Sequence, residues 1–143
     1  MNYDSYFSEL LERESNAEKV PFRAVSRGNW SPKKNDCHNN VDYWVAHHRE
    51  IKVVRGWLFW GPNEALQYNL MANSVIDDDG ALVDITPLDE NTPREALRFL
   101  RHLGTEEEFA TMRVPCSHVL YPPISFEEWR ESQLPIQEEE ADF

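Results

Sequence analysis

Cys37 stands where a thiol can become a nucleophile. It opens the run Asp36-Cys-His-Asn-Asn-Val-Asp-Tyr-Trp-Val45, in which Val41, Trp44, Val45 and His48 follow at helical spacing behind Asn35 or Asp36 as a cap. A helix N-terminus offers unpaired N–H groups and a partial positive charge, which can bring a cysteine pKa from about 8.5 down to roughly 3.5–7.5. Such a sulfur attacks amide or thioester carbonyls, with the same N–H groups steadying the oxyanion. It also calls for a base. His38 is adjacent in sequence, but neighbouring helix positions point about 100° apart, whereas His102 or His118 could approach from the C-terminal segment.

The elements that must position this sulfur are legible along the chain. Tyr3, Phe7, Leu10 and Leu11 form one apolar stripe and predict an N-terminal helix over residues 3–14. Residues 19–35, with Pro21, Gly28, Pro32 and the basic pair Lys33-Lys34, read as a loop leading into the site. The Cys37 helix is predicted from Asp36 to His48. Ile51–Trp60 is rich in β-branched and aromatic residues and stops at Gly61-Pro62, a strand and a turn. Leu66–Ile76 and Ala81–Thr86 read as two further strands joined by a tight turn at Asp77-Asp-Asp-Gly80. These acids lack the alternating ligands and distant Glu of a calcium loop, so the turn is the expectation.

Beyond Pro87 the pattern changes. Thr92, Pro93 and Glu95 carry the signals of a helix start and predict a helix to His102. Thr105-Glu-Glu-Glu-Phe109 opens like another helix, and prolines around Val119-Leu-Tyr121 mark an edge strand within residues 113–124. Ser125-Phe-Glu-Glu128 is a capping box for a last short helix, and residues 137–143 read as an acidic, disordered tail. The expectation is one α+β domain over residues 1–136, helices packed on a small antiparallel sheet.

Composition narrows the function classes. The 143 residues are 41% hydrophobic, enough for one core. No apolar run approaches the ~20 residues of a membrane span, and Met1–Leu10 has neither the basic nor the apolar region of a secretory signal. A cytoplasmic protein with reduced thiols at Cys37 and Cys116 is expected. No Cys-x-x-Cys or common zinc spacing occurs, and no cofactor is implied. The net charge is −12. Residues 1–76 hold nine acids and nine bases, whereas residues 77–143 hold seventeen acids and five bases. Phosphate binding needs a basic surface, so direct nucleic-acid binding is disfavoured and a basic protein partner is the better match.

A helix with its nucleophile at the N-terminus, packed on an antiparallel sheet that supplies the base and its orienting partner, is the layout of papain-like and NlpC/P60-like cysteine peptidases. Residues 35–87 resemble it in order and approximate spacing. The chain also looks like a set of small uncharacterised bacterial and phage proteins, through Cys37-His38-x-Asn40-Val41, Arg55-Gly56-Trp57-Leu58, Ser74-Val75, Asp84-Ile85-Thr86-Pro87 and Phe99-Leu100-Arg101-His102. In that set a histidine precedes Ser-Val; here Asn73 does. The resemblance implies Cys37 as nucleophile, Asn73 in the base position and Asp84 as orienting residue. An amide takes no proton at neutral pH, so the enzyme is dead, another histidine such as His102 substitutes, or the helix terminus alone forms the thiolate.

Plainer readings stand beside these. A cysteine is often a small buried hydrophobe, Asp84 could bond the backbone at Thr86, Asn73 could be an ordinary strand residue, and His47 and His48 can meet free carbonyls where their helix ends. Gly56 within a strand marks a bulge or a close backbone approach, unless packing around Trp57 explains it. Two functions follow: a thiol-dependent hydrolase or acyl transferase acting on a protein or peptide-like substrate, or a catalytically silent acidic protein that blocks a basic surface of a partner.

Overall fold

The two longest β-rich stretches pair along their whole length. In the computed structural model, which describes residues 2–123, β1 (Ile51–Trp60) runs antiparallel to β2 (Tyr68–Asp78), with Ile51 opposite Asp78 and Trp60 opposite Asn69. The chain then reverses through Asp79 and Gly80, both at positive φ (56° and 91°), as a two-residue hairpin requires. The Asp77 carboxylate accepts from the Gly80 N–H at 2.7 Å. Three acids therefore serve a turn, with β2 reaching two residues past Ile76 before β3 (Ala81–Val83) returns beside it.

Correction comes next, at residues 93–102. One 3-10 turn at Arg94–Ala96 leads into β4 (Arg98–Arg101), which pairs with β1 from Gly56 to Phe59. The helix predicted there loses because β1 has a free edge whose N–H and C=O groups need partners, and because a helix this short is marginal alone. Leu97, Phe99 and Leu100 go inside while Arg98 and Arg101 face water. The extended segment near Val119 forms β5 (His118–Tyr121), on the same side of β2 as β3.

Among the described residues three helices complete an α+β fold: α1 (Tyr3–Glu12), α2 (Cys37–Ala46) and α3 (Glu106–Met112). The last opens with a full capping box between Thr105 and Glu108. They cover one face of the sheet, where Phe7, Leu10, Trp57, Phe109 and Met112 form a buried cluster and Val41 packs on Ile76 and Val83. The other face curls on itself around Leu58, Val75, Leu82 and Phe99. A segment of the predicted loop closes that curl: Glu18 exchanges two backbone hydrogen bonds with Phe99 of β4, and Pro21 and Arg23 bond Asp84 just beyond β3. The proposed helix at Ser125 and the acidic tail lie outside the described residues, and among the described residues no helix is long and apolar enough to cross a membrane.

Candidate functional site

The sheet leaves a gap that the start of α2 fills. On its outer edge β2 is paired by β5 over residues 68–71 and by β3 over residues 76–78, so among the described residues Ala72 to Val75 have no strand partner there. The Ala72 N–H instead donates to Ser117 O at 3.0 Å. Its carbonyl accepts from the Cys37 thiol, Sγ to O 3.9 Å. Asn40, 2% exposed, ties this helix to its surroundings: its side chain accepts from Lys33 N and donates to Lys33 O and Thr86 Oγ1.

Outside the thiol lies a cleft of about 430 Å³. Asn35, Asp36, His38 and Asn39 wall it from the α2 side, Met71 and Asn73 from β2, and Arg113, Val114 and His118 from the chain that follows α3. Asp36 makes no side-chain cap to α2, and the N–H groups of Cys37 and His38 in its first turn act on the sulfur instead.

The sulfur nevertheless behaves opposite to the helix-terminus expectation. Burial pushes its pKa up to about 11; the Ser74 N–H opposes it more strongly than the nearby Asp84 charge adds to it, and the N–H groups of His38 and Cys37 itself help less. Desolvation and a like charge outweigh the helix end.

Asn73 and Asp84 are both brought to Cys37. Asn73 is 2% exposed and faces the interior of the curl. Its amide is close enough to the Asp84 carboxylate to favour the charged form, yet Nδ2 completes no hydrogen bond among the described residues. Asp84, 1% exposed, accepts from Thr86 N at 3.0 Å and from Arg94 Nη1 at 3.0 Å. Burial still raises its pKa, with Thr86 and Arg94 opposing. A carboxyl whose folded pKa is raised contributes stability below its unfolded pKa, and that contribution is lost as pH rises through the folded value. Arg94→Ala is therefore expected to cost about 3 kcal/mol near pH 7, by leaving a buried charge unpaired. The cost should shrink near pH 4 as Asp84 takes a proton; equal urea-unfolding losses at both pH values would refute this.

The histidines are engaged elsewhere. His102 accepts from Tyr6 OH at Nδ1 (2.6 Å) and donates from Nε2 to Thr105 O, while Tyr6 OH accepts from Trp57 Nε1 and Leu103 N. It thus anchors α1 to the sheet and is absent from the cleft wall. His38 Nδ1 lies 2.6 Å from Ser74 Oγ, which also accepts from Arg55 Nη1. Burial, then the charges of Arg113 and Arg55, lower its pKa to about 4, so it is neutral and partnered. His118 reaches the cleft but bonds Asn69 Oδ1 at 3.1 Å and stacks on Trp60. His47 and His48 each bond the carbonyl four residues back.

No family model, curated protein or solved structure matches this chain. Its geometry also holds residues that spacing alone did not single out. Arg55 joins α2 to α3 through Asp42 and Glu106, at 2.8 and 2.9 Å, and reaches Ser74 between them. A long side chain in the middle of a strand gives no local signal of such a role. Among the described residues no three His, Cys, Asp or Glu side chains gather as a metal site.

Proposed function

We propose that the Cys37 cleft binds a peptide-like chain with a thiol-hydrolase layout that lacks its proton acceptor, so that it recognises an amide without cleaving it. The observation that carries this reading is Asn73, which lines the cleft with Cys37 and approaches the buried Asp84 carboxylate, at the position for which the layout calls for a base. An amide there takes no proton at neutral pH, and the thiol beside it stays protonated near neutrality. Asn35, Asn39 and Asn73 line the cleft; Asn35 and Asn39 donate to Asp89 and Asp36, and their amide oxygens are acceptors of the kind a peptide N–H satisfies. The papain-like or NlpC/P60-like arrangement belongs to this reading, supported by a helix start set against an antiparallel sheet.

A silent protein acts by occupying its partner. The acidic excess of residues 77–143 fits a basic surface on such a partner, and affinity should fall as salt screens it.

Alkylation of Cys37 by iodoacetamide, followed by peptide mass spectrometry across pH, tests the site directly. The expected midpoint is about 11, with Cys37 inert at pH 7 in the folded protein. A midpoint well below about 8.5 would mean an activated thiolate and would favour the second reading, a thiol-dependent hydrolase or acyl transferase. The N–H groups of Ser74, His38 and Cys37 around the sulfur are what supports that alternative.

A further inference from the structure

Away from the cleft floor, the loop before α2 lies along that helix and carries charge of one sign. Residues 19–35 include Lys19, Arg23, Arg27, Lys33 and Lys34 and no acid. Trp30 stacks on Tyr43 (centroids 4.0 Å apart, 19°) and lies 6.1 Å from Trp44. Tyr43 in turn packs on His47, and Trp44 on His48. Arg27 is locked to Trp30 by a reciprocal pair of backbone hydrogen bonds. At the other end the Asn40 side chain grips the Lys33 backbone. The segment thus runs beside α2 from the ring stack back to the helix start.

Arg27, Lys33, Lys34 and Arg49 are exposed along this strip and enter no ion pair among the described residues. Of the neighbouring acids, Asp42 pairs with Arg55, Asp36 accepts from Asn39 Nδ2 and Asp89 accepts from Asn35 Nδ2, while Glu50 follows Arg49 in the chain. Cations interleaved with aromatic rings are the surface that anchors carboxylates and flat side chains together.

We infer that this strip docks a short acidic peptide segment carrying an aromatic residue, its carboxylates on Arg27, Lys33, Lys34 and Arg49 and its ring on the Trp30–Tyr43 stack. Charge complementarity selects the occupant. A long nucleic acid would extend past the strip onto a molecule of net charge −12 and be repelled, whereas about five extended residues span a ten-residue helix. The inference does not depend on the chemistry of Cys37.

The test is fluorescence anisotropy with a labelled, end-capped peptide, Glu-Tyr-Glu-Glu-Tyr-Glu, against the full chain. Saturable binding at low salt is expected, weakened about tenfold or more by Lys34→Glu combined with Arg49→Glu and by raising salt several-fold. Trp30→Ala should weaken it as well. The charge reversals sit on exposed side chains, so they decide the matter even where Trp30→Ala fails to fold. No binding, equal binding by the charge-reversed protein, or tighter binding of an oligothymidylate of the same charge would each overturn the proposal.

Discussion

Replacing Asn73 by histidine is expected to turn an inert thiol into a reactive one. With a pKa of about 11, Cys37 is thiolate in roughly one molecule in ten thousand at pH 7. An imidazole at position 73 would line the same cleft as the sulfur and meet a buried carboxylate that already approaches the amide there. The thiol proton could then move to nitrogen, with Asp84 stabilising the resulting imidazolium. An ion pair of this kind lowers cysteine pKa by several units, so alkylation at pH 7 should rise on the order of 10²-fold or more. Adding Asp84→Asn to the histidine variant should remove much of that gain. An unchanged alkylation profile in a folded Asn73→His protein would show that the three side chains do not act as a row, and the layout argument would fall with it.

The second large effect is on the fold that holds the site. Gly56→Ala is expected to destabilise the domain by about 3 kcal/mol or more, because a Cβ there would sit inside contact distance of the Leu100 carbonyl and the Phe99 ring, both on β4. Gly56 lies opposite Asn73 on β2 and opposite Arg101 on β4, so the strain reaches both neighbours of β1. Gly80→Ala is the control. Its position is open, with nothing within 4 Å and φ of 91°, so only local backbone strain of about 1 kcal/mol is added. Urea unfolding of the two variants separates steric overlap from strain; a Gly56→Ala loss no larger than that of Gly80→Ala would mean β4 yields at little cost.

The glycine also shows where reading the sequence reaches its limit. Gly56 inside an apolar strand signals a close approach, but not of what. The answer is Phe99, from a stretch whose capping residues promise a helix. Thr92 and Pro93 are local signals, and they bring about one 3-10 turn. The free edge of β1 then takes over, because unpaired backbone groups in a core cost more than local propensity returns.

Local rules did carry much of the rest. β-Branched and aromatic residues placed β1 at Ile51–Trp60, Asp79-Gly80 made the hairpin, and the spacing of Val41, Trp44 and Val45 placed α2 with Cys37 as its first residue. Each depends on neighbours within a few positions, so a sequence displays it. The chemistry of Cys37 is not of that kind. Its helix start argues for a thiolate, while burial, with the charge of Asp84, 47 positions away, holds it as a thiol. His102 likewise carries no mark that it belongs to Tyr6 rather than to the sulfur. Local sequence determined most of the elements and which residue begins the central helix; β4, desolvation and charge, set by residues far apart in the chain, were decided only when the sheet curled and closed.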